Sequence, residues 1–295
     1  MAEDRRQGQP RRGAAPQSSG RSSNRPAGER RGSGSQGRPG DRSGDRAGRK
    51  GDWKRPTDDQ RPRTSDQALY DGPPIPDEIT GAELDRSVSA QLKGLPEKLA
   101  NRVARHLAAA GALIDEDPET AYQHTLAARA RAARLAVVRE ASGEAAYAAG
   151  HYADALSELR AAKRMNGVTA YLPMMADCHR ALGHPEQALK LAKSPSVANF
   201  SSDAKAEMTL VEAGARRDMG QIDAALRVLE QTPLMSASRE PWVTRLRYAY
   251  ADALEAAGRL NDALTWFHRT DAIDSDEQTD AAQRAEALEA RIESS

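Results

Sequence analysis

"GHYADALSELRAAK", residues 150–163, decides how the rest of this chain is read. A glycine is followed by an acidic residue at Asp154 and then by Ala155 and Leu156. Alone, this describes one helix ending and another starting. Its neighbours change the reading. "ALGHPEQALKLA" (181–192), "DMGQIDAALRVL" (218–229) and "AAGRLNDALTWF" (256–267) place Gly, acid, Ala and an apolar residue in the same order. Upstream, "AAAGALIDEDPETAYQHT" (108–125) follows the pattern with a longer turn. The alanines Ala121, Ala155, Ala188, Ala225 and Ala263 are spaced by 34, 33, 37 and 38 residues. Such a period signals a stacked array rather than one compact core.

Each repeated residue has a physical reason. Gly111, Gly150, Gly183, Gly220 and Gly258 fall where a first helix is expected to end, and glycine enters the left-handed C-cap without strain. Asp154, Glu186, Asp223 and Asp262 then meet the positive end of the second helix dipole. The repeated Ala is expected where the two helices of a hairpin cross. A second small site precedes it at Ala104, Gly143, Ala176, Ala213 and Ala251. Two facing small residues let backbones approach, and a larger side chain there costs about 1–3 kcal/mol. Leu156, Leu189, Leu226 and Leu264 follow the small Ala directly. Leu99, Val138, Tyr171, Met208 and Leu246 recur early in each first helix and complete one buried stripe per helix. After residue 80 no alternating strand pattern is found.

"GEAAYAAGHYADALSEL" (143–159) and "ADALEAAGRLNDALTWF" (251–267) resemble the tetratricopeptide repeat, with its small residue, Gly, aromatic or aliphatic residue, Ala and large apolar residue. The units at 169–195 and 206–232 are in phase with them, and the resemblance covers roughly 96–273. It implies an all-α, right-handed superhelical solenoid of four to five antiparallel helix pairs. It also implies a concave groove, lined by the first helices, that takes a peptide or helix of a partner protein. The residues it places on that groove are Asn101, Arg105, Glu140, Glu144, Tyr147, Asp177, Arg180, Arg217, Tyr248, Asp252 and Glu255. Where the family's peptide clamp carries Lys, this chain has Glu140, Pro173, Leu210 and Tyr248; where it carries one Asn, Glu144, Asp177, Gly214 and Asp252 stand. A clamp for a C-terminal carboxylate is therefore disfavoured. The acids outnumber the arginines and point to a mixed or basic ligand.

The chain divides by composition. Residues 1–67 hold 17 Lys+Arg against 9 Asp+Glu, leaving 26 and 34 for the remainder, so a neutral total hides two parts of opposite sign. Rich in Arg, Gly, Ser and Pro and poor in apolar residues, residues 1–67 are expected to be a disordered basic tail. Residues 68–80, "ALYDGPPIPDEIT", read as a Pro-rich linker. The helical repeat domain spans 81–295. Thr80 and Glu83 are placed as an opening N-cap, and a polar capping helix is expected at about 276–293. A tail of this length spans roughly 45 Å. It is expected to compete for the acidic groove, or alternatively to contact nucleic acid, as in an RNA- or ribosome-associated factor.

A search for catalytic chemistry finds little. "ADCHR" (176–180) brings Asp177, Cys178 and His179 together, but on a helix they point about 100° apart, so one metal cannot take all three. His106, His124, His151, His179, His184 and His268 form no HExxH motif, and neither a phosphate-binding glycine loop nor GxSxG is present. The expectation is a binding protein, not an enzyme, without metal or cofactor. A single cysteine, the lack of an apolar leader and the lack of any apolar run of about 20 residues predict a cytoplasmic protein without a membrane span.

Overall fold

Four of the repeat glycines, Gly150, Gly183, Gly220 and Gly258, adopt φ of 77°, 75°, 71° and 75°. Each closes a helix in the same way. The N–H of the following residue returns to a carbonyl five positions earlier: His151 to Ala146 at 2.8 Å, His184 to His179 at 2.8 Å, Gln221 to Arg216 at 2.8 Å and Arg259 to Leu254 at 3.0 Å. This is the six-to-one bond of the Schellman ending, which only a left-handed residue permits at low cost. Around these turns the computed structural model describes residues 70–294.

Among the described residues the fold is all-α, without strands. A short helix α1 (Arg86–Leu92) leads into α2 (Glu97–Leu113) and α3 (Pro118–Ala132). Then come α4 (Ala136–Ala148) with α5 (Tyr152–Asn166), α6 (Leu172–Ala181) with α7 (Pro185–Ala192), and α8 (Ser202–Asp218) with α9 (Ile222–Glu230). The last pair is α10 (Pro241–Ala256) with α11 (Leu260–Asp271), followed by α12 (Ala281–Glu293). Each helix packs on the next. The first helices of successive pairs also touch, α2 on α4, α6 on α8 and α8 on α10. That packing is consistent with a solenoid. No described helix is long and apolar enough to cross a membrane.

The core is correspondingly a series of clusters. One joins α1 to α4 through Leu92, Val103, Leu107 and Val138. A second runs from Tyr122 through Leu156, Leu159 and Met175 to Met208. A third holds Leu229, Leu246, Leu254 and Phe267 against Leu288 of α12. Ala155, Ala188, Ala225 and Ala263 are fully buried at the crossings, as are Ala121, Ala176 and Ala251, with Ala213 barely exposed. Gly143 shows why the site must be small. A Cβ there would lie 2.5 Å from Cδ2 of Leu159 on α5. Asp154, Glu186, Asp223 and Asp262 sit in first turns of second helices.

Three readings of the N-terminal part need correction. Gly111 does not end a helix: α2 continues through it to Leu113. The longer turn that follows has its own cap, Asp117, whose side chain accepts from the Thr120 N–H at 3.1 Å. Residues 70–80 are no free linker but a strap packed on α2 and α3. Arg105 donates to the carbonyls of Ile79 (2.6 Å) and Pro76 (3.1 Å), and Gly81 lies against Ala104, so Ala104 faces the strap. Thr80 and Glu83 bond to each other, but as a turn ahead of the helix, which starts only at Arg86. At the other end the capping helix begins at Ala281 rather than 276. The expectations about residues 1–67 lie outside the described residues.

Candidate functional site

The first helices of the pairs carry a row of polar side chains that reach from one pair to the next. On α4, the Tyr147 hydroxyl donates to Oδ2 of Asp177 on α6 at 2.6 Å. Arg180 holds the other Asp177 oxygen at 2.8 Å and, through Nε, Asp218 at the end of α8 at 2.8 Å. Arg217 pairs with Asp252 of α10, and Arg245 pairs back to Glu207 of α8. Arg284 of α12 ends the row, donating to Asp252 at 3.0 Å and to Glu255 at 2.6 Å. Apart from the Arg180–Asp177 bond within α6, these bonds join residues 29–38 positions apart in sequence. They exist because equivalent faces of successive pairs stack in register.

Two adjoining clefts open along this row. One, of about 710 Å3, lies between α4, α6 and α8, with Tyr147, Tyr171, Met174 and Val211 among its apolar lining. The other, of about 600 Å3, lies between α8, α10 and the segment before α12, with Ala213, Tyr248 and Ala249 in its wall. Arg180, Leu210 and Arg245 line both. Gly214 lies in the wall of the second cleft: a Cβ there would lie 2.5 Å from Cζ of Arg180, so the guanidinium packs directly on the bare backbone of α8. A further cleft of about 640 Å3 uses a different stripe of α8, through Thr209, Glu212 and Arg216, together with Trp242.

Of the residues placed on the groove by sequence, the structure gathers Tyr147, Asp177, Arg180, Arg217, Tyr248 and Asp252 around these two clefts. Glu255 lies instead beneath Arg284 and Arg291 of α12, and the Arg284 hydrogen bond lowers its carboxyl pKa. Arg105 is held by the strap, and Asn101 is exposed on α2 away from both clefts. Glu140 accepts from Asn166 at 2.7 Å, and Glu144 is paired with the Tyr171 hydroxyl. Burial raises the Glu144 carboxyl pKa, the Tyr171 hydrogen bond opposes that shift, and the Glu140 charge adds to it. Most of the expected acidity is therefore neutralised internally by guanidiniums. Burial, with Asp177 and Asp280 as partners, pushes the Tyr147 phenol well above its usual range and that of Tyr248 up to about 12, so both remain hydroxyl donors.

Arg245 is the shared lining residue that the sequence reading did not name, whereas Leu210, which lines both clefts with it, stands at one of the clamp positions. Arg245 stands one turn before Tyr248 on α10, and that i,i+3 phase was its available signal. The "ADCHR" residues diverge as helix geometry requires. Asp177 enters the groove, Cys178 is fully buried in the core, and His179 meets Arg160 at 2.9 Å. Burial pushes the Cys178 thiol up to about 12. Among the described residues no three His, Cys, Asp or Glu side chains gather as metal ligands.

Comparison of the chain with protein-family models, with curated proteins and with solved structures gave no match.

Proposed function

We propose that the protein is an interaction scaffold: a right-handed, tetratricopeptide-like superhelix whose groove binds a peptide or helix of a partner protein. The observation that carries this reading is the pair of adjoining clefts on the first helices, sharing Arg180, Leu210 and Arg245. Aromatic and aliphatic floor with charged walls is the makeup of a peptide groove. Arg245 is exposed at the rim, where its pair with Glu207 is weak enough to exchange for a partner's carboxylate. Glu140 and Glu144, which have no cationic partner among the described ion pairs, favour a basic residue at the α4 end. The bound segment is accordingly of mixed charge. Neither catalysis nor a cofactor forms part of this reading.

A photocrosslinking residue placed at Arg245 in the full-length chain tests the proposal in native extract. The expected result is one defined protein adduct that does not form from Arg227, exposed on α9, and whose yield falls at least tenfold in the Leu210→Arg variant. Identical adducts from both positions, or none, overturn it. The rival, an RNA- or ribosome-associated factor, draws on the excess of Lys and Arg in residues 1–67. Association that is lost on nuclease treatment and on deletion of 1–67, with the groove variant unaffected, decides for it.

A further inference from the structure

Beneath the strap lie two imidazoles that the groove does not use. His106 of α2 and His124 of α3 are each 1% exposed, and their Nδ1 atoms are 3.0 Å apart. That contact needs one proton between two nitrogens. The Nε2 atom of His106 is buried without a partner. The cheaper neutral arrangement has Nδ1–H of His106 donating to Nδ1 of His124, leaving a bare lone pair at Nε2 of His106 rather than an orphaned N–H. A further proton would put a charged N–H with no acceptor into that space. Its surroundings are already cationic: Arg102 and Arg105 from α2 and Arg131 from α3, with Asp71 of the strap the carboxylate bound to Arg102 and Arg131 at 3.2 Å each. From α4, Val137, Val138 and Ala141 add apolar surface to that end of the core.

The strap is the roof. Gly72, at φ 71°, sits so close that a Cβ would be 2.5 Å from Cβ of Ala127 and 3.1 Å from Cε1 of His106. On one side the Tyr70 ring lies 4.1 Å from the Arg131 guanidinium, which also donates to the Tyr70 carbonyl. On the other, Arg105 holds Pro76 and Ile79. The same guanidiniums that fasten the strap therefore make the covered site hostile to positive charge.

We propose that residues 70–81 are a proton-coupled latch, which closes over α2 and α3 only while His106 and His124 are both uncharged and which acid releases, freeing Arg105. The sign follows from linkage. Burial, then His124 and the three arginines, lower the His106 pKa from 6.5 to about 4 while the latch is closed. Burial lowers that of His124 as well. Opening returns the rings to water, so the open state binds the proton more tightly. Closure is therefore fully favoured above about pH 6.5 and weakens as pH falls toward about 4, by up to about 300-fold for His106 alone.

Hydrogen exchange of residues 70–81 in the full-length chain reads the latch, once the intrinsic pH dependence of amide exchange is removed. Opening is expected to increase severalfold to tenfold for each unit below pH 6.5, and to be independent of pH in His106→Gln/His124→Gln. Protection that does not change with pH, or the same pH dependence in that variant, overturns the proposal. Should the double variant fail to fold, Gly81→Ala, whose new Cβ would lie 2.8 Å from Cβ of Ala104 at a φ of 90°, loosens the strap without touching the rings or removing a charge beside them. Coupling then requires the His106 NMR titration, near 4 in the native chain, to move toward 6.5, and that of His124, also lowered there, to rise with it. Native titration near 6.5 with the strap still protected, or no shift in Gly81→Ala, rejects it.

Discussion

At the scale of single residues, the fold rests on positions where a side chain has no room. Gly143 is the sharpest, since Leu159 fills the place of its Cβ. Gly143→Ala is expected to cost about 1–3 kcal/mol by overpacking, measured by urea unfolding at neutral pH. Shortening the opposing residue should recover part of that loss, so Gly143→Ala/Leu159→Ala is expected to be less destabilised than the sum of the single variants. Additive losses would show that the crossing does not depend on this contact. Residues of this kind were legible in the sequence because sterics allow so few alternatives: a left-handed helix ending calls for Gly, and a close crossing calls for Gly or Ala. Gly111 misled for the same reason. It imitates the ending, but Asp117 provides the real boundary six residues later.

Helices are tied to one another by partners that no local pattern announces. Glu158 of α5 is only 4% exposed and receives Arg129 of α3 at 2.5 Å and Arg139 of α4 at 2.6 Å. One carboxylate thus fastens three helices. Glu158→Gln removes the charge and leaves two guanidiniums, each partly screened by solvent, without their anion. The expected cost is about 2 kcal/mol, below that of a fully buried pair. Thermal unfolding should show it, with the loss reduced when Arg129 and Arg139 are also replaced by Met. The strap was illegible at this scale. Its Pro-rich composition fits a solvated linker equally well, and beside the Tyr70 ring and the Asp71 carboxylate it docks through backbone carbonyls and a glycine, which carry no pattern in sequence. The groove residues were half legible. Helical phase put Tyr147, Asp177, Arg180 and Tyr248 on one face, and they line the two clefts, but the partners that Tyr147, Arg180 and Tyr248 take on other elements depend on how successive hairpins stack.

For the molecule as a whole, an array must hide its last stacking face. Arg284 spans that junction, 4.9 Å from the Phe267 ring while it binds Asp252 and Glu255, and Leu288 enters the core beside Phe267. Deleting residues 276–295 uncovers this face. The expected outcome is concentration-dependent self-association by light scattering, with loss of protection in α11 before α4. A monomer of unchanged protection would mean that the last pair is self-sufficient. The row from Tyr147 to Arg284 has a mechanical consequence as well. Its bonds run from hairpin to hairpin along the first helices, and Arg129–Glu158 and Tyr122–Asp154 tie the second helices α3 and α5, so any displacement of one hairpin against its neighbour loads polar ties. Half-exposed ion pairs such as Arg180–Asp218 weaken as salt screens them. Displacement of one hairpin against the next is therefore expected to become easier as ionic strength rises.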